Sequence, residues 1–122
     1  MAMSRKDEEE LNKSLIDYEN MEKQLEVLLI QKHQLQIQLN EVNHAIEELK
    51  KADGEVYRSV GSVMFHTTKA DAEKDLKERS ELLEVKLNAI SKQEEKLRSI
   101  VLDSQKKLQE RMKEYGKAGP AR

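Results

Sequence analysis

Glu55-Val56-Tyr57-Arg58-Ser59-Val60-Gly61-Ser62-Val63-Met64-Phe65-His66-Thr67-Thr68-Lys69 is the one stretch of this sequence that does not read as helix. Val56, Tyr57, Val60, Val63, Met64 and Phe65 crowd β-branched, aromatic and thioether side chains into a short span. Gly61-Ser62 separates Val60 from Val63, a two-residue break with glycine first. Glycine takes the positive φ that the first central position of a type II′ turn requires, so the stretch predicts a β-hairpin over 55–67. That register sets Val60 against Val63, Arg58 against Phe65 and Val56 against Thr67 on one face. Tyr57, Ser59, Met64 and His66 take the other, because side chains alternate along a strand. An isolated hairpin of this size is marginal in water, and its two open edges recruit further strands. The hairpin therefore reads as an assembly element built on Val56, Tyr57, Val60, Gly61, Val63, Met64 and Phe65. The blander alternative is a decorated turn that only reverses the chain. Linkers with that task are more often polar and glycine- or asparagine-rich.

Outward from the hairpin, both flanks are helical. Before it, one apolar series runs Leu11, Tyr18, Leu25, Lys32, Leu39, Ile46 and a second runs Ser14, Met21, Leu28, Leu35, Val42, Leu49. Only Ser14 and Lys32 break this heptad, and no Pro or Gly interrupts it, which argues for a coiled coil. Lys32 can bury its stem and lift its ammonium to water. The predicted helix spans 5–53. Ser4 with Asp7 opens it as a capping box, the acidic run to Glu10 complements the helix dipole, and Asp53-Gly54 stops it with Gly54 at C′. After the hairpin, Thr68 and Asp71 repeat the capping pattern for a helix over 69–115. Its series are Leu76, Leu83, Ile90, Leu97, Ser104, Arg111 and Ser80, Leu87, Glu94, Val101, Leu108, Tyr115. Glu94 and Arg111 are the clear faults, from either a polar contact across the pair or a local shift in register. Gly116 is expected to end the helix, leaving 116–122 as a flexible tail.

Two helices of near-equal length around a short hairpin imply an antiparallel pair. Leu49 then lies near Leu76, Leu25 near Leu97 and Val101, and Leu11 near Tyr115. The acidic residues Asp7 to Glu10 meet the basic end with Lys106, Lys107, Arg111 and Lys113. The fold class is mainly α: a long antiparallel coiled-coil helical hairpin with a short β-hairpin at the turn end, in a single domain over 1–122.

Composition agrees. Charged residues make up 38% of the 122 residues and aromatics 3%, the profile of a coiled coil rather than a compact globule. The net charge of -2 comes from interspersed charges, with no basic stripe for nucleic acid. No apolar run is long enough to span a membrane, the N-terminus has no signal core, and the absence of cysteine excludes thiolate metal sites and disulfides. A cytoplasmic location fits.

Several stretches resemble the prefoldin family. Glu55-Val56-Tyr57-Arg58-Ser59-Val60-Gly61-Ser62-Val63-Met64 is similar to the family's E-V-Y-x-x-x-G-x-(I/V)-(L/M) hairpin. Ala45-Ile46-Glu47-Glu48-Leu49 and Lys92-Gln93-Glu94-Glu95-Lys96-Leu97 resemble archaeal members. A single hairpin resembles the beta class, since the alpha class carries two. The resemblance implies an ATP-independent holdase, no enzyme and no cofactor. It implies a hexamer of two alpha and four beta subunits joined through a β core. Coiled-coil tips would hold unfolded client proteins and pass them to a group II chaperonin.

Candidate sites follow from position. His33, His44 and His66 are the only histidines, and no pair has the i,i+4 spacing of a helical metal site. Gly61 stands alone, not in a phosphate-binding loop. No catalytic residue and no metal ligand is expected. At the ends remote from the hairpin, Leu11, Leu15, Ile16 and Tyr18 on the first helix and Leu108, Met112 and Tyr115 on the second form a candidate client-binding group. Leu15, Ile16 and Met112 lie off the seam. Apolar side chains there bind varied partners without sequence specificity. The alternative is that the group only zips the last turns. A non-chaperone scaffold or tether that assembles through the hairpin is the second functional reading, and an RNA-binding helical hairpin is a third, disfavoured by the charge pattern.

Overall fold

The structure, a computed structural model, describes residues 4–118. The order is helix α1 (Arg5–Lys51), strands β1 (Val56–Val60) and β2 (Val63–Thr67), and helix α2 (Lys69–Ala118). Two long antiparallel helices flank a two-stranded antiparallel sheet, as the heptads and the glycine break predict.

Both helix starts are capped. The Asp7 amide donates to Ser4 Oγ at 3.1 Å, and the Ser4 amide donates back to Asp7 Oδ2 at 3.4 Å, a complete capping box. At α2 the Asp71 amide donates to Thr68 Oγ1 at 3.1 Å. That half of the box forms; no return bond to Asp71 joins it. α1 closes at Lys51, short of the expected 53. The Ala52 amide bonds to the Leu49 carbonyl at 3.2 Å, a tightened last turn, and the positive φ of 99° falls on Gly54, beyond the C′ position assigned to it. The Lys69 ammonium donates to the Lys50 carbonyl at 3.0 Å and satisfies one of the end carbonyls. At the other end, α2 runs through Gly116 to Ala118, so Gly116 does not stop it. One glycine costs a helix about 1 kcal/mol against alanine, a penalty a 50-residue helix absorbs. The rest of the expected tail, 119–122, lies outside the described residues.

The hairpin register is Val56↔Thr67, Tyr57↔His66, Arg58↔Phe65, Ser59↔Met64 and Val60↔Val63, as the turn demands. Gly61 has φ 60°, and no non-glycine residue among those described has positive φ. Ser62 therefore does not, which excludes type I′ and leaves type II′.

The chain divides into two units, Gln31–Ser91 around the hairpin and the segments up to Ile30 and from Lys92. In the hairpin unit, Leu39, Val42 and Leu83 are buried, with Leu35, Ile46, Leu76 and Leu87 packed around them. Ser80 Oγ donates to Asn43 Oδ1 at 3.0 Å beside this core. In the second unit, Val101 and Leu108 are buried. Leu25 and Val101 line one groove there, the proximity the antiparallel pairing predicts. Every position of both heptad series is buried or half-buried, polar exceptions included. Glu94 is 5% exposed, as enclosed as the leucines, so it occupies the seam without shifting its register. Its Oε1 accepts from Arg98 Nη2 at 2.9 Å.

Candidate binding surfaces

Two surfaces stand out, one in each unit. On the hairpin, Tyr57, Val60, Val63, Met64 and Phe65 are between 51% and 66% exposed. More than half of each apolar side chain meets water on both faces of a sheet with two unpaired edges. Val56 and Thr67 at the base are half-buried. Alternation places Tyr57 and His66 together on one face, where their rings meet edge to face at 5.4 Å. The Tyr57 hydroxyl donates to Glu55 Oε2 at 2.5 Å. This bond, and to a lesser degree partial burial, raises the Tyr57 pKa above 10.0. On the other face, Arg58 Nη1 reaches Asp75 Oδ2 of α2 at 2.9 Å. A cleft of about 750 Å³ runs along β1, with Leu49, Ala52, Ala72, Leu76 and Leu82 on its helical side. Neither Asp75 nor the cleft was visible in the sequence, because both depend on how the hairpin leans on α2.

In the second unit the expected client group separates into two kinds of residue. Leu11, Leu15, Tyr18 and Tyr115 are half-buried, and Leu108 is 7% exposed. Ile16 and Met112 are 58% and 54% exposed, as their off-seam positions predict. Val27, Ile30, Ile100 and Leu102 of this unit are also exposed. The signal for them in the sequence is spacing alone: Ile16 and Ile30 share a heptad position opposite the seam. Partial burial, together with the Glu22 charge and hydrogen bond, raises the Tyr18 pKa. Arg111 Nη2 lies 3.9 Å from Glu10 Oε2. Its hydrogen bond to Tyr115 is the main factor holding its pKa above the ordinary value, aided by Glu10 and Asp7 and opposed by burial. Among the described residues the expected charge pairing of the two ends thus rests on Arg111, while Lys107 pairs within its own helix with Asp103 at 3.3 Å.

His33, His44 and His66 are exposed. Among the described residues no group of His, Asp and Glu is arranged to hold a metal ion, and no helix is long and apolar enough to cross a membrane.

A capped helical pair that carries an open, apolar β-hairpin defines a class of coiled-coil subunits that work by binding. The chain belongs to the prefoldin family: the family model described as prefoldin subunit matches residues 12–115. It is similar to prefoldin subunit beta of Pyrococcus furiosus, 39% identical over 93 residues, which cover 75% of this chain and 80% of the relative. Prefoldin subunit beta of Saccharolobus islandicus is 34% identical over 115 residues, 93% of this chain and 91% of the relative. The crystal structure of the prefoldin beta subunit from Thermococcus strain KS-1 superposes with a TM-score of 0.77 at 34% identity, covering 83% of this chain and 90% of that one. The resemblance drawn from the hairpin motif holds. The chain is a beta-class prefoldin subunit, a non-enzymatic chaperone subunit and a member of a prefoldin complex.

Proposed function

We propose that this subunit is an ATP-independent holdase that assembles through its β-hairpin, holds unfolded proteins at its coiled-coil tips and delivers them to a group II chaperonin. The assembly is a hexamer of two alpha-class and four beta-class subunits in the cytoplasm, the arrangement that family membership implies. The open hairpin carries this reading. Its exposed Val60, Val63, Met64 and Phe65 leave a small sheet without the cover it needs for stability. At the helix ends of the second unit, Ile16 and Met112 offer apolar, adaptable surface for clients, with Leu11, Leu15, Tyr18, Leu108 and Tyr115 beside them.

The test is suppression of aggregation of several unrelated unfolded proteins by the assembled complex without ATP, followed by light scattering. A holdase protects most of them. A scaffold or tether, the competing reading, protects few or none.

A further inference from the structure

One residue on the apolar face of the hairpin is out of character. Arg58 lies between Val56 and Val60 and opposite Phe65. Its Nη1 is 2.9 Å from Asp75 Oδ2, early in α2. The other polar side-chain bonds of the hairpin are local: Tyr57 to Glu55, and Ser59 Oγ to the Gly61 carbonyl. Among the described residues, the Arg58–Asp75 pair is the polar side-chain tie between the hairpin and a helix.

The space under this tie is open. The cleft of about 750 Å³ has Val56 and Arg58 on one wall and Leu49, Asp75 and Leu76 on the other. The hairpin is thus not packed down on the helices along β1; Arg58 spans the gap. The chain links hold the base of the hairpin beside the helices and leave the lean of its turn to side-chain contacts. Thr68 alone joins β2 to α2, and on the other side the link from Ala52 to Glu55 contains Gly54 at φ 99°. The Lys69–Lys50 contact ties α2 to α1 but does not reach the hairpin.

We propose that Arg58 and Asp75 are positioning residues, a strut that sets the tilt of the hairpin on α2 and so aims its free edges at neighbouring subunits. This rests on the hairpin being the assembly element. Leverage gives the tilt its consequence. A five-residue strand is roughly 17 Å long, so a tilt of about 15° moves the turn by about 4–5 Å, nearly one interstrand spacing. That displacement is enough to spoil strand pairing with a neighbour. The two side chains are 56% and 43% exposed, so the strut is open to screening by salt.

The absence of cysteine makes the test clean. Spin labels on Ser62→Cys and Lys86→Cys report the hairpin-to-helix distance in the full-length subunit. The expected distribution is narrow at low salt and broadens in Arg58→Ala, in Asp75→Ala and at raised salt. It narrows again in the charge swap Arg58→Glu/Asp75→Arg. In unlabelled chains mixed with an alpha-class subunit, each single variant weakens assembly by about two- to five-fold, the range for an exposed ion pair, and the swap restores it. Mass photometry reads this arm. Unchanged distances in the single variants, or a swap that rescues neither readout, overturn the strut. Broadened distances with unweakened assembly overturn its role in aiming the edges. Failure of the assembly reading itself shows separately, as normal assembly by a Phe65→Asp chain.

Discussion

At the residue scale, the seam contains one buried carboxylate among the described residues. Glu94 is 5% exposed and bonded to Arg98, at a position where the heptad calls for an apolar side chain. Replacing a whole buried ion pair with well-packed apolar residues is often neutral or stabilising by about 1–4 kcal/mol. Here Arg98 is half-exposed and returns to water when its partner is lost, so leucine at 94 fills the seam whereas alanine leaves a void. Glu94→Leu is therefore expected to raise the thermal midpoint measured by circular dichroism, and Glu94→Ala to lower it. Tyr57 supports a second expectation. Its pKa is raised in the folded chain, so the Glu55 bond stabilises the hairpin fully below pH 10.0 and is lost as pH rises through the elevated folded value. In a chain whose sole tyrosine is Tyr57, with Tyr18→Phe and Tyr115→Phe, ultraviolet titration should give a midpoint above 10.0. Glu55→Gln should move that midpoint down.

At the element scale the hairpin is the decisive part. Gly61 has φ 60° with open space around its α-carbon, so Gly61→Val costs conformational strain rather than a clash. A loss of about 1–2 kcal/mol in the turn is expected, read as faster amide exchange at Val60 and Val63. Phe65→Asp or Val63→Asp should release unassembled subunits that keep their helicity, because the helices have their own seam. Circular dichroism and light scattering read the two halves of that outcome. Much of this was legible in the sequence. The Gly61-Ser62 break sets the register, and every heptad position becomes buried or half-buried, even where Lys32, Glu94 or Arg111 occupies it. Helix ends were less legible. Gly116 looks like a stop but lies within α2, since a long helix tolerates one glycine. The Arg58–Asp75 tie was not legible at all. It pairs residues on different elements, and no local pattern specifies the angle between a sheet and a helix.

At the scale of the whole molecule, family membership makes this chain a chaperone subunit. Assembly is assigned to the hairpin unit and client holding to the helix ends of the other unit. The two are expected to be separable, because the hairpin and about four heptads per helix are enough to sustain a coiled coil anchored at one end. Capture by several arms relies on weak contacts acting together, so shortening every arm weakens holding more steeply than any one substitution. The most direct measurement is therefore made on a subunit truncated before Met21 and after Val101, co-assembled with an alpha-class prefoldin subunit. Oligomer size is checked alongside light scattering of a refolding, aggregation-prone protein at fixed chaperone concentration. The account expects an oligomer of the full number of subunits that protects markedly less well than the intact complex. An oligomer that protects as well as the intact one would contradict it and move the client site from the tips to the sides of the helices.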